Sequence, residues 1–360
     1  MKGRTVSVPG RDTPIVVAHR DTPPPPVEAR PHDRVAREAM AEALLCPGAT
    51  RASGAGARAV PEEPDPVRTC FERDRDRILH STAFRRLAGK TQVFIFPDDH
   101  QRTRLTHALE VAQVATAISR AIGLNTDLTE AIALGHDCGH GPGGHASEDA
   151  FDALLSGGYH HAVWGADVVL TPLNLCAETL DGIRNHSWSR PTPSTPEGAV
   201  VSWADRCAYS AHDLADAVSA GIVSADDLPS IVLDVLGRTQ REQLAVLIGA
   251  IVDCAGTSGV IGMDPIHADA LAALRAFNYE RIYDRPASRA QGAAVVEVLT
   301  ALVEACVARP ELLPDPEVDD PLGAAVNWVA GMTDRYAFAT AVRLLDWPET
   351  RVPRGFDLIA

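Results

Sequence analysis

Between His136 and Glu148, four glycines and a proline interrupt a segment that also carries three histidines, an aspartate and a glutamate. Such a density of backbone breakers ends a helix and turns the chain. The run before it, Leu128 to Gly135, is apolar and Ala-rich with Thr129-Glu130 near its start. This predicts a helix that delivers His136 and Asp137 at its own C-terminal end. Gly139, Gly141, Gly143 and Gly144 then let the backbone pass close to whatever the imidazoles and carboxylates hold.

The rest of the chain reads as helices around this turn. Residues 1 to 65, rich in Pro, Arg, Ala and Gly and including the Pro23 to Pro26 run, predict a flexible extension without chemistry of its own, apart from a short helix over Arg34 to Leu45. From Pro66 onward Phe71, Ile78, Leu79, Ala83, Phe84 and Leu87 recur at helical steps. Arg73, Arg75, Arg77, Arg85, Arg86 and Lys90 occupy the other faces, and a solvated helix surface is the simplest account of them. Thr103 or Thr106 caps a helix reaching about Ile122, where Gly123 stops it. Further helices are expected over Glu148 to Leu155, Tyr159 to Leu170, 173 to 186 and Pro196 to Ala220. Beyond Gly221 they follow near 226–236, 238–256, 264–283, 287–308 and 320–346. Strand signals are scarce, so the expected fold is all-α: a core over 66–220 and a C-terminal helical region, 221–360, packed on it.

Charge and composition narrow the partners. A formal net charge of −15 over 360 residues argues against a protein that coats nucleic acid, while leaving room for a local basic pocket that takes a small anion. No run of uncharged apolar residues reaches membrane-spanning length, and the polar, Pro-containing N-terminus lacks a signal-peptide core, so a cytoplasmic address is expected. The seven cysteines are scattered without a Cys-x-x-Cys pair and read as reduced, mostly buried thiols, with Cys138 a small filler.

Three helices supply one donor set. His107 falls in the first turn of the helix that begins near Thr103, His136 and Asp137 end the next, and Asp205 lies on the Pro196 to Ala220 helix. Two imidazoles and two carboxylates suit an octahedral divalent metal with open positions, and hence hydrolysis of a phosphorus ester or anhydride. His145 and Glu148 are three apart near a helix start, so the carboxylate can fix the imidazole tautomer for proton transfer. Asp205, Tyr209 and Asp213 are four apart in turn and form a polar stripe, the expected wall of a wet cavity.

These residues, together with Asp76-Arg77-Ile78-Leu79-His80-Ser81, Lys90-Thr91-Gln92-Val93-Phe94, Arg102 to His107, Asp205-Arg206-Cys207-Ala208-Tyr209 and Gly331 to Ala337, resemble the HD-domain phosphohydrolases, and within them the deoxyguanosine triphosphate triphosphohydrolase-like proteins. The resemblance spans roughly residues 66 to 346 and implies an HD helical bundle with additional C-terminal helices. It implies that His107, His136, Asp137 and Asp205 ligate a divalent metal (Mn, Mg, or another transition metal such as Fe, Co, Ni or Zn), and that His145 and Glu148 are the catalytic pair. It places Gln92 and Arg104 on the nucleoside and α-phosphate, Tyr209 and Asp213 on the deoxyribose, and His140 among the substrate-binding residues without a fixed role. The implied reaction splits a deoxynucleoside triphosphate into deoxynucleoside and inorganic tripolyphosphate. The resemblance also implies a homo-oligomer and allows an allosteric nucleotide.

The chain departs from the family at three places. Gly143 stands where Phe is usual, Arg206 replaces a frequent Lys, and Tyr159-His160-His161-Ala162 follows only loosely a Phe-x-His-Asn block, leaving open which histidine faces the site. Two other readings compete: an HD-type phosphohydrolase acting on a nucleoside monophosphate, cyclic dinucleotide or alarmone, and a nucleotide sensor with little turnover.

Overall fold

The computed structural model describes residues 3–19, 22 and 24–353. Met1, Lys2, Arg20, Asp21, Pro23 and residues 354–360, which fall in the expected extension and C-terminal region, lie outside the described residues. The fold is all-α. Its helices are α1 (Arg34–Glu42), α2 (Cys70–His80), α3 (Thr82–Arg86), α4 (Arg104–Ile122), α5 (Thr126–Gly135), α6 (His145–Asp152), α7 (His161–Trp164), α8 (Ala177–Asn185), α9 (Pro196–Ser219), α10 (Ser230–Val235), α11 (Gln240–Ser258), α12 (Pro265–Asn278), α13 (Pro286–Ala308), α14 (Pro321–Ala330) and α15 (Asp334–Leu345). Among the described residues the only sheet is a two-stranded antiparallel pair, β1 (Arg4–Val6) with β2 (Ile15–Val17).

Two hydrophobic cores organise the helices. In the first, Val111, Ala115 and Ile118 of α4 meet Leu128 and Ile132 of α5, Ile183 of α8 and Val200, Val201 and Ala208 of α9, with α2, α11 and α12 closing around them. In the second, Phe151 of α6 joins Val295, Leu299 and Leu302 of α13, Val326 and Val329 of α14 and Phe338 of α15. Gly135 and His145 therefore belong to helices in different cores, and the Gly-rich turn is the bridge between them. Helix α13 has the length and hydropathy of a membrane span, yet Val295, Val298, Leu299, Leu302 and Val303 are fully buried in the second core. Its apolar stripe is thereby accounted for within the fold.

Several elements differ from the sequence expectations, each for a local reason. The helix expected over 320–346 is two, because Thr333 caps α15 by accepting from the Tyr336 N–H. The one expected over 264–283 changes after Asn278 into a π-helical turn, Tyr279–Tyr283, and the one from Tyr159 changes likewise over Gly165–Val169. The one expected over 173–186 begins only at Ala177, because Asn174 takes a left-handed conformation (φ 50°). The second half of the N-terminal extension is docked: Thr50 donates to Glu197, Ala52 is buried, and the Arg58 guanidinium pairs with Asp74 at 2.6 Å. The arginines of α2 lie among surface ion pairs, Arg75 with Asp76 and Arg77 with Glu62, as a solvated face requires.

Candidate active site

Local sequence sets each side chain. Thr103 is the N-cap of α4, its N–H donating to Thr106 Oγ1 at 3.0 Å, which fixes the first turn and points His107 inward. Helix α5 ends at His136, whose Nδ1 lies 2.6 Å from the Ala133 carbonyl. That bond makes Nδ1 the donor and leaves the Nε2 lone pair facing the site. The Nε2 is buried without a hydrogen-bond partner, 3.5 Å from Asp137 Oδ1 and 3.6 Å from Asp205 Oδ1. His107 Nε2 lies 3.0 Å from Asp205 Oδ1 and 4.0 Å from Asp137 Oδ2.

These donors converge on one point. Ligand atoms of His107, His136 and Asp137 lie within 4.8 Å of one another, as do those of His136, His186 and Asp205. A lone pair aimed at two carboxylates is repulsive unless a cation lies between them. Burial opposes the His136 imidazolium, but Asp137 and Asp205 outweigh it and raise its pKa to about 9. Burial also opposes the Asp137 carboxylate, and His136, Arg104 and His140 hold its pKa well below the usual range. The residues thus suit a divalent metal, whose charge would take the place of the His136 proton.

A second group stands on the other side of Asp137. His145, at the start of α6, has Nδ1 3.1 Å from Glu148 Oε1, and His161 Nδ1 approaches the same oxygen at 2.9 Å. Burial works against the Glu148 carboxylate, yet His161 and His145 bring its pKa far below the ordinary value. His140 stacks on His161 with centroids 3.8 Å apart and places Nε2 3.2 Å from Asp137 Oδ1. Gly139 makes this arrangement possible, since a β-carbon there would lie 2.0 Å from the His161 carbonyl oxygen. Of the two adjacent histidines, His161 faces the site; His160 caps α7 and reaches Ser189 at the surface.

The remaining expected residues line one cavity of about 450 Å³ with these groups. Arg104 Nη1 bonds Asp137 Oδ2 at 2.7 Å, while its Nε and Nη2 are buried without partners. Gln92 Oε1 and Asp213 Oδ1 are likewise unpartnered among the described residues. The Tyr209 hydroxyl accepts from Arg275 Nε at 2.9 Å, and Tyr283 donates to Asp213 Oδ2 at 2.5 Å. Burial pushes the Asp213 carboxyl up to about 6 despite that bond. Arg206 lays its guanidinium 3.4 Å over the Trp188 ring, which a Lys in its place would not reproduce with a planar stack.

The sequence reading passed over some cavity residues. Arg275, Tyr279 and Tyr283 stand four apart, a helical stripe that their polar and aromatic character could have revealed. His186 repeats the His136 arrangement, with Nδ1 2.8 Å from the carbonyl three residues back, Ile183, and Nε2 3.2 Å from His161 Nε2. A histidine just past a helix end was its signal.

Known families and proteins match long stretches of this chain. Residues 104–210 match the HD domain, and residues 261–343 match the phosphohydrolase-associated domain. A deoxyguanosinetriphosphate triphosphohydrolase-like protein of Caldanaerobacter subterraneus subsp. tengcongensis is 40% identical, covering 82% of this chain and 90% of that protein. One from Desulfatibacillum aliphaticivorans is 39% identical over 82% and 92%, and one from Deinococcus radiodurans 39% over 85% and 98%. The chain belongs to the deoxyguanosinetriphosphate triphosphohydrolase-like family. Within that family of HD phosphohydrolases, the associated domain contributes Arg275, Tyr279 and Tyr283 to the cavity, and the HD domain contributes the His and Asp cluster. A hypothetical protein of Aquifex aeolicus aligns at TM-score 0.49 with 17% identity, over 75% of this chain and 68% of that one.

Proposed function

We propose that this chain hydrolyses deoxynucleoside triphosphates, dGTP-like substrates among them, to deoxynucleoside and inorganic tripolyphosphate. The observation that carries the reading is the placement around Asp137: metal-suited donors on one side, the Glu148-held His145 on the other, and two unpartnered Arg104 nitrogens in the same cavity.

In this reading His107, His136, Asp137 and Asp205 hold a divalent ion. Such an ion supplies Lewis-acid polarisation of a phosphate oxygen. Arg104 offers its free N–H groups to the α-phosphate, a charge-assisted contact that also orients the phosphorus. As the bond from water oxygen to the α-phosphorus forms, the bond to the nucleoside 5′ oxygen breaks. His145, its Nδ1 held by Glu148, has Nε2 available to take the proton of the attacking water and return it to that leaving oxygen. Tyr209 and Asp213 face the sugar, Gln92 offers its free carbonyl oxygen to the nucleoside, and His140 supports the phosphate side. A homo-oligomeric assembly, an allosteric nucleotide and a cytoplasmic location go with this proposal.

The test is product analysis by metal-loaded, full-length protein given each deoxynucleoside triphosphate singly and in mixtures. Tripolyphosphate with an equimolar deoxynucleoside is expected. Pyrophosphate or orthophosphate as the first product overturns the reading in favour of another HD-type hydrolysis, and no turnover in any mixture favours a sensor. Asp137→Ala should lose bound metal, whereas His145→Ala should keep it and turn over slowly; equal metal loss in both would contradict the assignment of roles.

A further inference from the structure

Cys70 and Cys176 are buried free thiols whose sulfurs both border Gly56. Cys70 is the first residue of α2 and Cys176 the N-cap of α8, so both sulfurs stand at helix N-termini. Their helices are already tied together at this point. Asp74 of α2 accepts from the Cys176 N–H at 2.8 Å and from Thr179 Oγ1 at 2.7 Å, and Arg58, paired with Asp74, donates to the Cys70 carbonyl at 3.0 Å.

The pair lies one glycine below the surface. A β-carbon on Gly56 would meet Cys176 Sγ at 2.4 Å and Cys70 Sγ at 3.3 Å, so a partly exposed glycine lies directly against both sulfurs. Gly56 closes a tight turn by donating to the Ser53 carbonyl, which seats the glycine against both sulfurs. The two thiols are unequal. The Cys176 S–H donated to it, with the Ser53 N–H, pulls the Cys70 thiol below its ordinary pKa, while the same contact pushes Cys176 up.

We propose that Cys70 and Cys176 form an oxidisable dithiol, which a hydroperoxide closes to an intramolecular disulfide joining α2 to α8. The Cys70 sulfur attacks the hydroperoxide, forming an S–O bond as the O–O bond breaks and an alcohol or water leaves. Cys176 sulfur then attacks Cys70, forming S–S as S–O breaks, and a second water departs with the Cys176 proton. Two thiols are oxidised and one peroxide is reduced.

The experiment treats the reduced, full-length protein with stoichiometric hydrogen peroxide, alkylates it after denaturation, and maps peptides without reduction. A Cys70–Cys176 cross-linked peptide, loss of two of the seven alkylatable thiols and full recovery with dithiothreitol are expected. In the Cys176→Ser variant the cross-link should vanish, and Cys70 should stop at sulfenic acid and go on to sulfinic acid when a second equivalent of peroxide is added. The proposal is overturned if Cys70 and Cys176 both stay alkylatable while partly exposed Cys46 or Cys254 is consumed, or if the wild-type protein gives Cys70 sulfinic acid without the cross-link.

Discussion

Asp334 accepts a hydrogen bond from the Gly143 backbone N–H at 2.8 Å, holding the Gly-rich turn to the start of α15. Its other oxygen takes the Thr91 N–H at 2.9 Å, so one carboxylate positions both the turn and the segment that carries Gln92. Asp334→Ala strands two buried N–H groups, each worth about 1–3 kcal/mol. Urea unfolding should show a loss of about 2–6 kcal/mol, with Asp334→Asn losing less. Metal content should stay near the wild-type level while turnover drops, and parallel loss of metal would show that the turn also shapes the metal donors.

Gly143 has no room for a side chain. Its φ is 73°, and a β-carbon would meet Val295 Cγ1 at 2.5 Å. Here Val295 of α13 fills the space that a side chain would need. Gly143→Ala should cost about 1–3 kcal/mol in overpacking and backbone strain together. Adding Val295→Ala should recover the packing part of that loss; strictly additive effects in a double-mutant cycle would rule out the contact.

His161 and His145 share one oxygen of Glu148, at 2.9 and 3.1 Å. His161→Ala should lower kcat by about 10- to 100-fold, as losses of orienting partners do, with little change in KM or metal content. The acidic limb of the kcat–pH profile should move with it, because Glu148 loses a stabilising imidazole. A kcat loss with an unmoved profile would mean that His161 serves packing alone.

The carboxyl of Asp213 titrates near 6 in the fold against 3.8 ordinarily, chiefly through burial. Between those values the folded chain holds a proton that the unfolded chain has released, so this group's contribution falls as pH rises from about 4 to about 6. In Asp213→Asn that decline disappears. Across this window the stability of the variant relative to wild type should rise by on the order of 3 kcal/mol. Denaturant titrations at both ends of the window measure it, and a pH-independent difference would contradict the buried, neutral carboxyl.

Much of this architecture is legible in the sequence because it rests on short-range signals. The caps at Thr103 and Thr195, the apolar steps of α4 and α9 and the glycine break after Gly135 all act within a few residues. His107, His136, Asp137 and Asp205 could be named because each sits at a helix position that its neighbours define, and the structure brings those four together. What was not legible depends on contacts across long separations. Arg104 was expected on a phosphate, and in the fold its guanidinium pairs with Asp137, a contact that needs α4 docked on α5. The docking of Arg58 on Asp74 and the pairing of Tyr283 with Asp213 arise only when distant segments meet. Helix ends at Asn278 and Ala330 were missed because the helical periodicity continues through them.

The π-helical turn at Tyr279–Tyr283 gives the cavity wall one residue more than an α-helix would use over the same rise. Deleting one of these residues restores regular α-geometry and re-aims the side chains that remain in the turn. The Tyr283 hydroxyl would then swing off Asp213, although the backbone itself would gain better hydrogen bonds. The wall is therefore maintained against the chain's own local preference, and a shortened variant should fold well yet lose the bond between Tyr283 and Asp213.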